Sequence, residues 1–373
     1  MSPSPLAPGA TIGIVGGGQL GRMLAATAQR YGYRVHVLSP EENPPAAVHA
    51  DRHVAAVYQD VSAVAAFAAG VDVLTFEFEN VSSEALAAAA ALTVVRPSPE
   101  VLHVTQDRAR EKEFLARNGF PVAPYRVVRD GRALDAAVAD VGTPCMVKTA
   151  GFGYDGKGQV VLTDAAPTTE AAARTWAAAR ELAAAGPVVV ERRIDLRLEL
   201  SVVAARSHDG HTAIYAPIVN RHVDQVLDLS FTPLEGDSRA RGEGRGAANE
   251  VGDVTLPRSI GERAAAVTAR LVEALGLVGL CCVEFFLSTD GELLVNEIAP
   301  RPHNSGHLTI EASATDQFEQ QLRAVCGLPL GDTRLLTPSA MANLLGDLWA
   351  AGTPDFAAAL AVPGVTLHLY GKS

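Results

Sequence analysis

The sequence predicts an α/β protein of more than one domain, and three observations support that fold class. From Thr11 onward, short β-rich runs alternate with apolar-periodic helices, a pattern typical of a parallel sheet covered on both faces. The chain has 373 residues, enough for two or three domains of roughly 100 to 200 residues each. Hydrophobic residues make up 48% and charged residues 20%, so the chain can fill sizeable cores and is neither disordered nor fibrous.

Charge and hydropathy exclude two classes of partner. Lys and Arg number 31 against 42 Asp and Glu, a formal net charge of -11, so the basic surface of a nucleic-acid-binding protein is missing. The longest nearly apolar stretch, residues 85–95, is well short of the ~20 residues that cross a bilayer, and no signal peptide precedes Thr11. The four cysteines form no C-x-x-C pair, which indicates buried, reduced thiols. We expect a cytoplasmic protein with a short disordered leader and with no nucleic-acid or membrane partner.

The first predicted domain, residues 1–105, is a parallel α/β unit. Its predicted elements are strands over residues 11–15, 33–38 and 71–76 and near Val54, with a helix over about 20–31. Pro97-Ser98-Pro99 marks the end of this domain, because two prolines so close together interrupt helices and strands.

Three further units follow. Residues 106–190 combine a charged linker helix over 106–118 with a small lid, predicted from a strand over 145–148, a glycine-rich loop, a helix over 169–185 and a strand over 188–191. Residues 191–335 form a larger body, predicted from strands over 199–205, 212–217, 280–287 and 292–298, with a surface loop over 235–253. Residues 336–373 form a small C-terminal subdomain.

A glycine motif follows the first strand. Gly16-Gly-Gly-Gln-Leu-Gly21 fits G-x-G-x-x-G at the opening of a helix, where free backbone N–H groups and the helix dipole bind phosphate. A dinucleotide site also needs an acidic residue at the end of the second strand, but the chain has Leu38-Ser39-Pro40 there. We favour a phosphate-bearing substrate, and a purely structural turn stays open as the alternative.

Two glutamates follow the strand over 71–76. Glu77 and Glu79 are two residues apart, so both side chains project to the same face at the sheet edge where ligands bind. We expect one of them to face a cleft. The alternative is that both are solvated.

A glycine-rich loop follows Lys148. Glycines at 151, 153, 156 and 158 do not suit the interior of a helix or strand, since ordering costs Gly the most backbone entropy. They suit a mobile flap that closes over phosphates and presents N–H groups and the Lys157 ammonium. The Walker pattern G-x-x-x-x-G-K-[ST] is absent.

A second pair of carboxylates lies in the body. Glu284 and Glu297 occupy two hydrophobic runs joined by the turn Ser288-Thr-Asp-Gly-Glu292, which predicts a β-hairpin. Two like charges ~4 Å apart repel by ~4 kcal/mol at an effective dielectric of about 20. Because magnesium is held by one or two carboxylates plus phosphate oxygens, this pair predicts a magnesium site. A solvated edge pair is the alternative.

The loop after Glu297 is crowded with polar side chains. It contains Arg301, His303, Asn304 and His307, too many donors for an ordinary turn. Capture of an anion or substrate is the favoured interpretation. A zinc site built on the two histidines lacks a nearby cysteine and four evident ligands.

Together these motifs resemble the ATP-grasp superfamily and, within it, the 5-(carboxyamino)imidazole ribonucleotide synthases. The resemblance covers about residues 11–372, and its most specific pieces are Gly-Gln-Leu-Gly-Arg-Met (18–23), Phe-Glu-Phe-Glu-Asn-Val (76–81), Gly-Tyr-Asp-Gly-Lys-Gly-Gln (153–159) and Asn-Glu-Ile-Ala-Pro-Arg-Pro-His-Asn-Ser-Gly-His (296–307). It implies an ATP-grasp fold with a Rossmann-like preATP-grasp domain, a lid and a small C-terminal subdomain.

The resemblance also implies a reaction in purine biosynthesis. ATP activates bicarbonate as carboxyphosphate, which carboxylates 5-aminoimidazole ribonucleotide and releases ADP and phosphate. ATP and magnesium are the implied cofactors, the substrates are small molecules, and a homodimer is implied. Formate-dependent phosphoribosylglycinamide formyltransferase is the nearest alternative. A nicotinamide dehydrogenase leaves the Lys148 loop unexplained, and a non-catalytic nucleotide-binding regulator stays open.

Positions that match the family's motifs imply roles for individual residues of this chain. The implied ATP contacts are Arg108, Lys148, the flap residues Gly153, Tyr154, Asp155, Gly156, Lys157, Gly158 and Gln159, the adenine hinge Glu191, Arg192, Arg193 and Ile194, and then Glu199, His222, Asn296 and Glu297. The implied catalytic and bicarbonate-positioning residues are Tyr154, Asp155, Lys157, Arg301, His303 and Asn304. The ribonucleotide is assigned to Gln19, Leu20, Glu77 and Lys372, and magnesium to Glu284 and Glu297.

The chain departs from the family pattern in three places. After Asn220-Arg-His222 the family usually has a glycine, whereas this chain has Asp224-Gln-Val-Leu227. Arg197-Leu198-Glu199 replaces a more acidic approach to the ribose carboxylate. The chain stops at Ser373, where the family continues into a basic segment, so we expect an incomplete C-terminal subdomain, normal ATP binding and weak ribonucleotide binding.

Overall fold

Three β-sheets follow one another along the chain in the computed structural model, which describes residues 4–151, 158–232, 256–350 and 352–371. The first sheet is parallel, and the second and third are antiparallel. The predicted α/β class is therefore confirmed. All four cysteines are buried and unpaired, as predicted.

The first sheet has the strand order β3-β2-β1-β4-β5. Its strands are β1 Thr11–Val15, β2 Arg34–Ser39, β3 Arg52–Ala55, β4 Val73–Phe76 and β5 Val94–Val95. Val15 is the register partner of both Leu38 and Phe76. The segments that follow β1, β2 and β4 therefore meet at one edge of the sheet, where ligands bind in such folds.

Helices cover both faces of this sheet, as its alternating sequence predicts. The helices are α1 Gln19–Arg30, α2 Val61–Ala68 and α3 Ser83–Ala90, with a 3₁₀ turn over Pro45–His49. Ile14 packs with Leu24 of α1 on one face, and Phe76 packs with Leu86 of α3 on the other. The predicted bounds of these strands and of α1 agree with the structure to within about three residues.

Two helices connect the first sheet to the second, where the sequence predicted one. They are α4 Pro99–Thr105 and α5 Arg108–Arg117. Pro99 occupies the first turn of α4, where its missing N–H and fixed φ are favourable, so this proline begins a helix. The Asp107 side chain accepts the Arg110 N–H at 2.9 Å and caps α5.

The second sheet has the order β6-β9-β7-β8 and forms the predicted lid. Its elements are β6 Tyr125–Val128, β7 Cys145–Thr149, β8 Gln159–Leu162 and β9 Val188–Arg192, with α6 Leu134–Val141, α7 Glu170–Ala185 and a 3₁₀ turn over Gly131–Ala133. Trp176 of α7 and Val138 of α6 pack on one face of this sheet. β6 and α6 were not predicted, because each is short and carries a weak apolar pattern.

The third sheet forms the body, with the order β15-β14-β10-β12-β13-β16 and β11 paired to β10. Its strands are β10 Leu196–Arg206, β11 Thr212–Ile214, β12 Ile218–Val223, β13 Val226–Phe231, β14 Gly279–Ser288, β15 Leu293–Ala299 and β16 Ala340–Ala342. The β12–β13 hairpin was not predicted, because Asp224 and Gln225 adopt φ of 48° and 68° without the glycine that usually marks such a turn.

The remaining helices pack on the body or follow it. They are α8 Arg258–Ala274, α9 Thr309–Ala312, α10 Gln317–Cys326 and α11 Phe356–Leu360, with 3₁₀ turns over Asn304–Leu308 and Gly346–Trp349. Gln321 of α10 accepts the Leu280 N–H at 2.6 Å and donates to Thr75 Oγ1 at 3.0 Å. α10 therefore joins the body to the first sheet. Across the described residues, no helix is long and apolar enough to span a membrane.

Candidate active site

One cavity of about 2690 Å³ lies where the three sheets approach one another. Its lining includes these predicted site residues: Gln19, Leu20, Glu77, Arg108, Lys148, Gln159, Glu191, Arg192, Arg193, Ile194, Glu199, His222, Glu284, Asn296, Glu297, Arg301, His303 and Asn304. Small-molecule sites usually enclose roughly 300 to 1,000 Å³, so this cavity has room for a nucleotide and a second substrate. The predicted residues 153–157 and Lys372 lie outside the described ranges.

Glu284 and Glu297 are the carboxylates that the body contributes to the cavity. Glu284 on β14 is the direct register partner of Glu297 on β15, so the predicted hairpin is confirmed. The register shifts at the next position, where Phe285 pairs with Val295. Asn296 is therefore the extra residue of a β-bulge, a device that redirects side chains beside functional sites.

Burial and mutual repulsion set the charge of this pair. Burial raises the pKa of Glu297, and the neighbouring Glu284 carboxylate raises it further. Burial also acts to raise the pKa of Glu284, but His303 outweighs it and holds that pKa below its ordinary value. His303 Nε2 lies 3.1 Å from Glu284 Oε1. Two carboxylates so placed favour a shared cation.

The donor set fits magnesium better than zinc. Magnesium is usually held by one or two carboxylates plus substrate phosphates, and the hairpin supplies two carboxylates. Within the described ranges, no cluster of three or more His, Cys, Asp or Glu side chains could hold a metal by itself. A zinc site on His303 and His307 therefore lacks ligands among these residues.

Lys148 of the lid lies in an ion-pair cluster at the cavity wall. Its Nζ is 2.6 Å from Glu191 Oε2, and Lys112 Nζ is 2.6 Å from Glu191 Oε1. Burial alone would raise the pKa of Glu191, but the two ammonium groups reverse that effect and hold the pKa far below its ordinary value. The Glu191 side chain of the predicted adenine hinge therefore binds two lysines.

Helix α5 carries three charged residues at the cavity, of which Arg108 and Glu111 line it and Lys112 lies behind them. Arg108 donates from its guanidinium to the Thr149 carbonyl at 3.3 Å. Glu111 is buried and accepts the Ile298 N–H at 2.7 Å, and burial followed by the nearby Glu297 raises its pKa. Lys112 belongs to the cluster at Glu191. Of these three residues, the sequence resemblance assigned only Arg108 to the site.

The loop after β15 supplies cations and donors. Arg301 pairs with Glu79 at 2.9 Å. Both Glu77 and Glu79 line the cavity, where the sequence led us to expect one of them. His303 Nδ1 lies 2.9 Å from Ser305 Oγ, and Asn304 accepts from the Gln19 amide at 3.4 Å. This last contact joins the loop to the start of α1.

A histidine on β12 contacts a glutamate on β10 at the wall of the cavity. His222 Nδ1 is paired with Glu199 Oε2. Burial disfavours the imidazolium, but the Glu199 carboxylate outweighs burial and raises the pKa of His222. These are the two residues assigned to the ribose and to nucleotide fixation, and the structure places them in contact.

The glycine motif binds a carboxylate of the protein itself. Glu77 accepts the N–H groups of Gly18 and Gly21 at the start of α1. A Cβ on Gly16, whose φ is +124°, would lie 2.2 Å from Glu77 Cγ. These two N–H groups are therefore occupied by an anion of the protein itself, and the predicted binding of a phosphate-bearing substrate at this motif stays a prediction for its other donors. Burial raises the pKa of Glu77, partly offset by these bonds.

Sequence reasoning missed Glu111 and Lys112. Both follow Arg108 at helical spacings of three and four residues, so all three share one face of α5. That spacing was the available signal. It was overlooked because a short helix rich in charge is usually solvated.

A parallel α/β domain, an antiparallel lid carrying Lys148 and an antiparallel body carrying a carboxylate pair enclose one cavity, and this arrangement defines an ATP-grasp enzyme. Sequence comparison agrees. The ribonucleotide synthetase preATP-grasp domain matches residues 9–106, the ATP-grasp domain matches 113–252 and 246–318, and the phosphoribosylaminoimidazole carboxylase C-terminal domain matches 339–373.

Individual relatives show which family of ATP-grasp enzymes the chain resembles. The N5-carboxyaminoimidazole ribonucleotide synthase of Brucella melitensis biotype 1 is 41% identical over 372 residues, which cover 100% of this chain and 94% of the relative. The ADP complex of Staphylococcus aureus N5-carboxyaminoimidazole synthetase has a TM-score of 0.85 at 33% identity, over 99% of this chain and 90% of the other. The Aspergillus clavatus synthase, solved with ADP and 5-aminoimidazole ribonucleotide, has a TM-score of 0.83 at 28% identity, over 98% and 90%.

The chain belongs to the N5-carboxyaminoimidazole ribonucleotide synthase family of ATP-grasp enzymes. It is an ATP-binding ligase, as the sequence motifs indicated. The comparisons support neither the formyltransferase nor the dehydrogenase alternative.

Proposed function

We propose that this chain carboxylates the exocyclic amine of 5-aminoimidazole ribonucleotide, using bicarbonate and ATP, in purine biosynthesis. The observation that carries the proposal is the meeting of three groups in one cavity: Lys148 from the lid, the Glu284 and Glu297 pair, and the Arg301 to Asn304 loop. These groups match the charges of ATP with magnesium and of an anionic second substrate.

The first step is phosphoryl transfer to bicarbonate. A bicarbonate oxygen attacks the γ-phosphorus, the bond to ADP breaks, and carboxyphosphate forms. Arg108 and Lys148 hold phosphate oxygens with their positive charge, and Glu284 and Glu297 would hold magnesium, with Asn296 beside them. The metal, when bound, neutralises charge that develops on the transferred phosphoryl group.

The second step is attack of the amine nitrogen on the carboxyphosphate carbon. The carbon–nitrogen bond forms, the carbon–oxygen bond to the phosphate breaks, and the departing phosphate takes up the proton that the amine nitrogen loses. Arg301 and His303 place positive charge and N–H donors at the anion, and Asn304 orients it. Gln19, Leu20 and Glu77 line the side of the cavity nearest the first sheet, where the ribonucleotide binds in this proposal.

The other parts of the proposal rest on the sequence resemblance. Tyr154, Asp155 and Lys157 act from a flap over residues 153–159, and Lys372 contacts the ribonucleotide phosphate. The enzyme is a homodimer, and its four unpaired thiols suit the reducing cytoplasm. Its units are residues 1–105, 106–190, 191–335 and 336–373.

The test is ADP release by the purified chain. Reactions contain ATP and magnesium with 5-aminoimidazole ribonucleotide or phosphoribosylglycinamide, each with bicarbonate, formate or neither. We expect ADP release that depends on 5-aminoimidazole ribonucleotide together with bicarbonate. Turnover that requires formate and phosphoribosylglycinamide would instead support the formyltransferase.

A further inference from the structure

We propose that Lys112 is a positioning residue of the nucleotide site, which acts through Glu191 to hold the Lys148 ammonium toward the nucleotide phosphates. The inference rests on the proposed function, because it assumes that Lys148 contacts phosphate. Lys112 itself lies behind the wall of the cavity, since Lys148 and Glu191 line the cavity and Lys112 does not.

The contact geometry makes Glu191 a shared partner. One carboxylate oxygen is 2.6 Å from Lys112 Nζ, and the other is 2.6 Å from Lys148 Nζ. The exposed fractions of the side chains are 3% for Lys112, 5% for Glu191 and 13% for Lys148. Exposure therefore increases from the buried lysine to the one that borders the cavity.

The charge balance explains what Lys112 contributes. Two ammonium groups face one carboxylate, so the cluster carries one excess positive charge, and the more exposed Lys148 presents it to the cavity. Because Lys112 engages one oxygen of Glu191, Lys148 is held through the other oxygen alone. Without Lys112, both oxygens attract Lys148, and its ammonium moves from the phosphates toward a buried, undercompensated carboxylate.

A third contact links Lys112 to the β14–β15 hairpin that carries Glu284 and Glu297. Lys112 Nζ donates to the Asn296 carbonyl at 3.0 Å, at the extra residue of the β-bulge. The adjacent Glu111 accepts the Ile298 N–H at 2.7 Å. Two consecutive residues of α5 therefore hold the backbone on both sides of Glu297. Lys112 thus connects the phosphate-facing lysine and the metal-facing strand.

The test compares the binding of ADP and of adenosine by the whole chain, measured by titration calorimetry. In Lys112→Met we expect the affinity for ADP to fall at least tenfold and the affinity for adenosine to stay within threefold, because only the phosphates meet Lys148. Lys148→Met is the matched control and should show the same selective loss. The double variant Lys112→Met/Lys148→Met should bind ADP no more weakly than either single variant.

A second variant separates positioning from general stability. Lys112→Met/Glu191→Gln removes the carboxylate that captures Lys148. The ratio of ADP affinity to adenosine affinity should therefore lie within threefold of the wild-type ratio. This comparison can be made even if Lys112→Met alone does not fold. The inference would be overturned if Lys112→Met bound ADP and adenosine equally weakly. It would also be overturned if Lys112→Met/Glu191→Gln kept the selective loss of ADP affinity. Wild-type protein that binds neither ligand would overturn the proposed function as well.

Discussion

Glu284 and Glu297 face each other as register partners across the antiparallel β14–β15 hairpin, with His303 Nε2 3.1 Å from the first of them. Two buried carboxylates directly opposite each other repel unless a proton or a cation lies between them. In this chain the hairpin faces a cavity that also holds Lys148. We therefore expect this pair to be the part of the site that is most sensitive to the loss of a bound cation.

Glu297→Gln should abolish turnover and leave the fold intact. The change keeps the side chain's size but removes a magnesium ligand, and metal charge stabilisation is worth several kcal/mol. Since ~1.4 kcal/mol is tenfold, the rate should fall about a hundredfold or more. Steady-state ADP release measures the effect, and Glu292→Gln, at an exposed carboxylate of the same hairpin, is the control. Activity within tenfold of wild type at saturating magnesium would reject the metal-ligand role.

Glu77→Gln should destabilise the protein through the start of α1. The Glu77 carboxylate accepts two N–H groups, from Gly18 and Gly21, whereas an amide has one oxygen and turns its NH₂ group toward the other donor. A buried donor left unpaired costs ~1 to 3 kcal/mol. Urea unfolding measures the loss, and Glu84→Gln, at an exposed glutamate of α3, should change stability little. Equal stability of the two variants would show that the cap is dispensable.

His307 should make the folded state sensitive to acid. Burial lowers the pKa of His307 to about 3, with His303 as the next contributor. The ring stacks on Phe318, and its Nδ1 lies 3.1 Å from Gln317 Nε2. Because the unfolded chain takes up a proton near pH 6.5 and the folded chain does not, stability is unaffected above that pH and falls as the pH drops toward 3.

Replacing His307 should remove that share of the pH dependence. Between pH 7 and pH 5 wild type should lose about 2 kcal/mol more than His307→Gln, from a single site with an unfolded pKa of about 6.5. Urea unfolding at both pH values measures the difference, with His103→Gln, at an exposed histidine, as the control. The same pH dependence in wild type and His307→Gln would contradict a buried neutral imidazole.

Some of this site could be predicted from local sequence. The Glu284 and Glu297 hairpin was predictable because two hydrophobic runs flank a turn and each carries one out-of-place carboxylate. The motif at Gly16 was also visible, and its position after β1 is confirmed.

The partners of these motifs could not be predicted, because they are distant in sequence. Glu77 is 56 residues from Gly21, and nothing local indicates that its carboxylate occupies the helix start. Lys112 meets the Asn296 carbonyl across 184 residues, and its helix looks like an ordinary solvated one. Asp224 and Gln225 form a tight turn in which Gln225 adopts a positive φ where a glycine is usual, so the sequence lacked the expected turn signal.

The fate of the bicarbonate oxygen shows whether bicarbonate attacks ATP in this enzyme. The chain is supplied with ¹⁸O-labelled bicarbonate, ATP, magnesium and 5-aminoimidazole ribonucleotide, the reaction is stopped before the bicarbonate exchanges its label with water, and the phosphate is analysed by mass spectrometry. If bicarbonate attacks the γ-phosphorus in the Lys148 and Glu297 cavity, the bicarbonate oxygen that forms the new bond leaves with phosphate, so the phosphate carries label. Carboxylated product formed together with unlabelled phosphate would show that bicarbonate does not attack the γ-phosphorus.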